Sequence, residues 1–421
     1  MRILTISNAS WDDRNSVGNT QSNWFSDWPD TEFCSLYTRE TMPDNLCCHF
    51  YFQVTAVDVV KHFLSRKNIG RGFQRKEAIV EDSYSTTEGK MVTSLKGWKR
   101  NALRAFVEFV YSTKIWLNSK LKNYISEFNP DIVFCFAIAE PFRYNIIKYI
   151  KTYTKAKVVM WVADDVWGQT QNMNWLLRTV YKARYRHLFR YADRVYGVSQ
   201  MLCDEYSQLF NTPIKPLYKG CDLTPSKTSV GHPIRMVYAG NLFYGRDKTL
   251  IALVNAIKDI NKDNRKVALS IYSATKVPDE VYRLLDVEGS STMCGVRPYE
   301  EIKKIMSEAD IVLHVESFDE KQIKDVRLSF STKIIDCMQS GAAMMVIGPK
   351  GIASVEYPRR IEGAIVVDDL SDLKQVVNSI IENPSQILDG AGKISDFARK
   401  NHEISAVHNK LQTEFQNVIA S

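Results

Sequence analysis

No apolar, uncharged stretch of this sequence approaches the roughly 20 residues that a membrane-spanning helix needs. The longest charge-free runs, such as Cys337–Pro349, are short and carry Gly, Ser or Gln. The eight cysteines, at 34, 47, 48, 135, 203, 221, 294 and 337, show no Cys-x-x-Cys spacing, which excludes a common zinc pattern and a disulfide framework. Glycine is missing where a dinucleotide site would need it. Gly18 is the only glycine before Gly70, so no Gly-x-Gly-x-x-Gly follows the first strand. There is no Gly-x-x-x-x-Gly-Lys-Ser/Thr loop and no Gly-x-Ser-x-Gly elbow. The seven histidines form no His-Glu-x-x-His, and no Asp-x-Asp occurs, the nearest being Asp286-Val-Glu288. Dinucleotide enzymes, P-loop nucleotidases, elbow hydrolases and zinc peptidases are thereby set aside, and metal–diphosphate chemistry is weakened. Binding of an anionic ligand by backbone and basic side chains remains.

What is present is a chain of 421 residues, 45% apolar and 24% charged, the composition of globular domains. That length suits two cores rather than one. The start, Met1–Ser10, reads as a buried strand rather than a signal peptide, so a cytoplasmic protein with reduced thiols is expected. The formal charge of +7 is unevenly spread. Residues 1–222 hold 30 Lys and Arg against 22 Asp and Glu, whereas 223–421 hold 25 against 26. Such asymmetry implies different partners for the two halves.

Strand and helix patterns alternate in both halves. Strands are expected at Arg2–Ser7, Asp131–Ala137, Val158–Val162, Arg194–Ser199 and Pro216–Lys219. Helices are expected at Lys99–Glu127, Pro141–Tyr153, Trp175–Arg190 and Gln200–Leu209. The stretch 60–95 reads as a long polar loop. A Pro-, Ser-, Thr- and Gly-rich segment, 223–233, reads as a linker. Beyond it, strands Ile234–Ala239, Val267–Tyr272, Ile311–Val315 and Ala343–Ile347 alternate with helices Thr249–Ile260, Tyr299–Ser307 and Thr332–Gln339. The fold class is therefore α/β, with two doubly wound parallel-sheet (Rossmann-like) domains. The first covers 1–222 and the second 234–400, with a C-terminal helix at 401–421 packing back on the first. Ligands of such sheets sit at the carboxyl ends of strands, so the expected site is a cleft that the domains face.

The segment Phe330–Pro349 carries most of the signal. Ser331 and Thr332 are placed to cap a helix, Lys333 sits in its first turn and Gly341 lies past its end. A basic residue is unfavourable in a first turn unless an anion uses both the charge and the free amides. Asp336 lies one turn on, where a carboxylate could accept bonds from ribose hydroxyls. The plain alternative is a capped helix with a surface lysine.

This segment resembles the donor site of GT-B-fold glycosyltransferases, of the bacterial family-4-like and capsule or O-antigen type. Their pattern is Ser/Thr-Lys, a helix carrying an acidic residue five before Gly, then a strand; Asp336 stands five before Gly341. The likeness continues at Tyr238-Ala-Gly240 with Gly245-Arg246, at Gly295-Val296-Arg297, and at Lys219-Gly220-Cys221-Asp222. It implies that Gly240, Arg246, Ser331, Thr332 and Lys333 hold the diphosphate, that Asp336 holds the ribose, and that Val296 and Arg297 lie near the base. Two departures stand out. Asn241 replaces an additional Arg, and the first of the family's two glutamates falls at Leu328. Glu316 is the nearest carboxylate on the preceding strand end and becomes a catalytic candidate, with a solvated strand-end residue as its plain reading.

In the first half the resemblance implies an acceptor side. Gly18, Asn19 and Thr20 match the loop that approaches diphosphate and acceptor, the alternative being an ordinary loop with a helix cap. Asp164 and Asp165, between Trp161 and Trp167, are candidates for taking an acceptor proton, with a sugar ring on a tryptophan face. The alternative is that one of the pair caps a helix beginning near Gln171. The basic excess gathers in two stretches with interleaved aromatics, 96–122 and 176–194, suited to an anionic membrane surface and a polyprenyl-linked acceptor.

The expectation is a metal-independent, retaining hexosyltransferase without cofactor or metal. It would use a UDP- or GDP-linked sugar on a glycan or lipid-linked acceptor in surface polysaccharide synthesis, at the inner face of the plasma membrane. A nucleotide-sugar epimerase of the same architecture and a degenerate GT-B scaffold are the alternatives. Nothing accompanies the charge to mark a nucleic-acid partner.

Overall fold

The computed structural model describes residues 1–65, 68–74 and 98–421. The chain divides into two units, Met1–Leu217 with His408–Ser421, and Tyr218–Val407.

The first unit is built on eight strands: β1 Arg2–Ser7, β2 Glu32–Tyr37, β3 Phe50–Gln53, β4 Arg71–Gln74, β5 Ile132–Phe136, β6 Lys157–Val162, β7 Arg194–Gly197 and β8 Ile214–Pro216. Their order is β4-β3-β2-β1-β5-β6-β7-β8. All pairs are parallel except β3 with β4. The sheet interior is strongly aromatic, with Trp24, Phe25, Phe134 and Trp161 in edge-to-face contact. Phe415, from the C-terminal residues, closes this cluster against Phe25, Trp28 and Phe134.

The second unit has six parallel strands: β9 Ile234–Ala239, β10 Val267–Tyr272, β11 Ser291–Gly295, β12 Ile311–Val315, β13 Ala343–Ile347 and β14 Ile365–Val367. Their order is β11-β10-β9-β12-β13-β14. Continuous burial of β12 and β13 explains their apolar runs, broken only by His314 in β12. In each unit the strand order reverses once, between β1 and β5 and between β9 and β12. At such a switch point neighbouring crossovers run to opposite sides and leave a crevice beyond the strand ends.

Four expectations change. The strand expected at Pro216–Lys219 lies earlier, at Ile214–Pro216. The stretch 60–95 is not simply a loop. Helix Ala56–Ser65 runs into it, with Val59 and His62 buried, and β4 lies within it, Phe73 stacking on Tyr51. Residues 66–67 and 75–97, including Lys96 of the basic stretch, lie outside the described residues. The single helix Lys99–Glu127 is two, Trp98–Ser112 and Ser119–Phe128. Lys114 takes a left-handed φ of 59°, and the Trp116 indole N–H donates to Tyr111 O at 2.8 Å, which turns the chain before Asn118 starts the next helix. Segment 223–233 is no free linker: Thr224 and Lys227 N–H donate to Gln339 O and Gly341 O. The Lys227 ammonium also lies 2.7 Å from buried Asp310. The boundary consequently falls earlier, before Tyr218, whose ring packs on Phe330 and Tyr357.

Candidate functional site

The carboxyl ends of β9 and β12 bring together most of the second unit's candidates. Arg246 opens the helix Arg246–Ile260. Its Nε donates to Val315 O at 3.1 Å and to Glu316 Oε2 at 3.2 Å. Its two other nitrogens donate to Glu316 Oε2 at 2.9 Å and to Asn241 Oδ1 at 2.8 Å. The other Glu316 oxygen lies 3.0 Å from His314 Nε2. Burial alone would push the Glu316 carboxyl up. The His314 ring and the Arg246 guanidinium more than reverse this and hold it below the ordinary carboxylate range. Both oxygens of Glu316 are thus engaged, and the Thr249 hydroxyl donates to its main-chain O at 2.9 Å. Glu316 is a buried anchor for Arg246 rather than the solvated strand-end group of its plain reading.

Lys333 reaches the same place from the first position of helix Lys333–Gln339. A Cβ on Gly240 would sit 2.6 Å from Lys333 Nζ and 2.8 Å from the Tyr238 hydroxyl, so the ammonium lies close against the backbone of the loop after β9. Burial first, then the nearby Arg246 charge, push that ammonium below the ordinary lysine value. Among the described residues no carboxylate lies within ion-pair distance of it. Two cations converge here, one paired with Glu316 and one without a counter-ion. The electrostatic complement of that arrangement is an anion.

The expected hydroxyl caps do not form. Thr332 stands at the cap position in helical geometry and its side chain caps nothing. The Ser331 N–H already donates to Ser354 Oγ at 2.9 Å. Seating of an anion therefore falls to Lys333 and Arg246 more than to these amides. Asp336 Oδ1 accepts from the Tyr299 hydroxyl at 3.1 Å, a contact across 37 positions that no spacing announces. Burial, then the Asp336 charge, raise the Tyr299 phenol, which keeps it a donor. Val296 and Arg297 are exposed after β11, where Arg297 donates to Val296 O at 2.9 Å and pairs with Glu301. They follow the outermost strand, which lies beyond β10 from the switch point. Leu328, at the position where the resemblance implies a glutamate, is buried.

In the first unit, Gly18, Asn19 and Thr20 are not a loop. They lie in helix Ser16–Phe25, whose cap is Asn15, accepting from Gly18 N–H at 2.8 Å. The close approach that Gly18 allows is to its own chain, since a Cβ there would meet Asp12 O at 2.1 Å. Asp165 caps the short helix Val166–Gln169 through Gly168 N–H and also accepts from the Tyr206 hydroxyl, each at 2.8 Å. Asp164 is exposed at the end of β6. Neither tryptophan ring is left without neighbours. Trp161 is buried against Trp24 with ring centroids 4.8 Å apart, and Trp167 is covered by Lys182 at 4.4 Å and Arg186 at 4.9 Å. Replacing Asp165 by Ala is expected to cost about 1–2 kcal/mol, the worth of a lost cap, and to leave the transfer that the resemblance implies within a few-fold. Full stability with abolished transfer would instead restore its role as a base.

The basic stretches are also partly spent inside the unit. Arg184 donates to Ala139 O at 3.0 Å, and Arg194 lies on β7. Trp116 and Val110 are buried. The helix Trp175–Tyr191 instead exposes an apolar tip, with Trp175 72% and Leu177 59% accessible beside Leu176 and Val180. Among the described residues no helix is long and apolar enough to cross a membrane, and no three His, Cys, Asp or Glu residues gather to hold a metal ion.

No protein-family model matches the sequence, and no curated protein is similar to it. Solved structures are. Sucrose-phosphate synthase from Thermosynechococcus elongatus superposes with a TM-score of 0.61 at 11% identity, covering 100% of this chain and 99% of that one. HepE from Anabaena, in complex with UDP, gives 0.64 at 11% identity over 99% of this chain and 100% of that one. The same protein in complex with UDP-glucose gives 0.59 at 13%, over 99% and 100%. At such identities the likeness is one of fold, and the fold is GT-B: two Rossmann-like domains.

Proposed function

We propose that the protein is a glycosyltransferase that uses a nucleotide-diphosphate sugar, held by the second unit. The observation that carries this is the ammonium of Lys333, half-buried and without a carboxylate, converging with Arg246 at the β9/β12 switch point. In the reaction the bond from the anomeric carbon to the diphosphate oxygen breaks and negative charge grows on the leaving diphosphate. Lys333 and Arg246 are fixed in advance to stabilise it, the form of catalysis that needs no reorganisation at the moment of reaction. Asp336, steadied by Tyr299, would accept from the ribose hydroxyls, and the main chain at Val296–Arg297 would border the base. UDP is the favoured nucleotide, because HepE was solved with UDP and UDP-glucose. Metal independence and retention of configuration are part of the proposal, as is a glycan or polyprenyl-linked acceptor in surface polysaccharide synthesis. Peripheral contact with an anionic membrane would use the exposed tip at Trp175–Val180 with Arg178 and Arg190 behind it.

A melting-temperature panel of UDP-, GDP-, CMP- and dTDP-linked sugars, with and without EDTA, tests the donor site. At a hundred times Kd a bound donor stabilises by about 2.7 kcal/mol, so UDP-sugars are expected to give a shift of several degrees that EDTA leaves intact. No shift with any donor would remove the reading, and conversion of donor without acceptor would favour an epimerase. Pelleting with phosphatidylglycerol vesicles, reduced in a Trp175→Glu variant, tests the membrane contact; a protein that stays in the supernatant refutes it.

A further inference from the structure

The switch point of the first unit holds a polar cluster that the donor site does not use. Asn8 follows β1, while Glu140 and Arg143 follow β5. Asn8 Nδ2 donates to Glu140 Oε1 at 2.8 Å, and Arg143 Nη1 donates to Glu140 Oε2 at 3.0 Å. Arg143 Nη2 lies 3.4 Å from Asn8 Oδ1. The Arg143 side chain is only 2% accessible, whereas that of Glu140 is 31% accessible. Arg143 Nε is buried and, among the described residues, has no hydrogen-bond partner. From the other side, helix Trp175–Tyr191 fastens the loop, Tyr181 accepting from Ala139 N–H at 3.2 Å and Arg184 donating to Ala139 O.

Stability alone does not account for this arrangement. Glu140 stands at the cap position of helix Pro141–Tyr153, yet its side chain makes no cap hydrogen bond. Burying an arginine to hold a carboxylate is costly, and apolar residues of similar volume commonly serve stability as well or better. What the cluster achieves is orientation. An ionised carboxylate offers about four acceptor positions; here each oxygen receives one bond from within the protein, and the carboxylate still opens to solvent. Two acceptor positions on adjacent oxygens match two hydroxyls on neighbouring carbons.

We propose that Glu140, held by Asn8 and Arg143 at the carboxyl ends of β1 and β5, is a binding site for a vicinal diol of a sugar or polyol. The site stands without the donor reading; only the part of acceptor for that polyol rests on it.

Saturation-transfer NMR on the full chain with methyl α-D-glucopyranoside, methyl α-D-galactopyranoside and methyl α-D-mannopyranoside is the test. Transfer to at least one pyranoside is expected, falling about tenfold or more in Glu140→Gln, where a donating amide replaces an accepting oxygen. Asn8→Ala keeps the carboxylate but loosens it, and a smaller, several-fold fall is expected; it serves if Glu140→Gln does not fold. The UDP-dependent rise in melting temperature reads the second unit and is expected at its wild-type value in Glu140→Gln. A failed donor site and a failed polyol site therefore show in different measurements. No transfer to any pyranoside, or equal transfer in wild type and both variants with only the melting temperature lowered, would mean that the cluster merely pins two loops together.

Discussion

Lys333→Ala is expected to abolish the UDP-dependent rise in melting temperature and to lower transfer by roughly two to three orders of magnitude, as loss of a preorganised electrostatic group does. Without nucleotide, the same variant is expected to be at least as stable as the wild type. The reason lies in the ammonium's surroundings: it is desolvated, it faces Arg246, and no carboxylate neutralises it. The folded protein carries that charge at a cost, which appears as the lowered pKa. The sign of the pH dependence follows. Below the folded pKa the cost is present in full, and it fades as pH rises from that lowered value towards the ordinary lysine value. Over this alkaline window the nucleotide-free wild type should therefore gain stability relative to Lys333→Ala. UDP affinity should move the other way, weakening as the ammonium is lost, with proton uptake on binding measurable by calorimetry in buffers of different ionisation enthalpy. A Lys333→Ala protein that binds UDP like the wild type would sink the assignment of the seat.

Glu316→Ala should strongly destabilise the second unit. It leaves Arg246, which is largely buried, without its carboxylate, and breaking a buried pair costs about 3–5 kcal/mol. For a unit of this size the fall in melting temperature is on the order of 10 °C. Glu316→Gln keeps the shape and one acceptor oxygen, so its cost is smaller and it remains foldable. The Glu316 carboxyl is held below its ordinary range, so its contribution is complete above the unfolded carboxylate value and disappears as pH falls through the lowered folded value. The acid side of the stability curve should accordingly be shallower in Glu316→Gln than in the wild type. On the proposed reading a phosphate would share Arg246 with Glu316, so UDP affinity in Glu316→Gln should be equal or tighter. An unchanged melting temperature and an unchanged acid limb in both variants would show the pair to be idle.

How much of this was legible depended on the range of each signal. Strands β9, β10, β12 and β13 have the bounds their apolar runs indicated, because buried parallel strands need continuous apolar sequence and flanking turns. Strands β2, β3, β4, β11 and β14 are not marked by the sequence pattern. They are short or carry polar residues, as in Ser291–Gly295, and pairing with a neighbour decides them more than composition does. The cap at Asn15 was overlooked because Asn19 and Thr20 have the same local chemistry, and only the packing of Gly18 on Asp12 settles which residue starts the helix.

The amino-acid sequence by itself determined the alternation of strands and helices, the two-unit α/β architecture, the uneven charge, and the conjunction of Lys333, Asp336 and Gly341. All of these rest on neighbours a few positions apart, within reach of a turn or a period. Tertiary structure alone settled which charges meet. Arg246 finds Glu316 across 70 positions, Tyr299 finds Asp336 across 37, and Asn8 finds Glu140 across 132. These meetings follow from strand order, which places β9 beside β12 and β1 beside β5. Strand order is fixed by burial summed over an entire sheet, so no short stretch of the chain contains it.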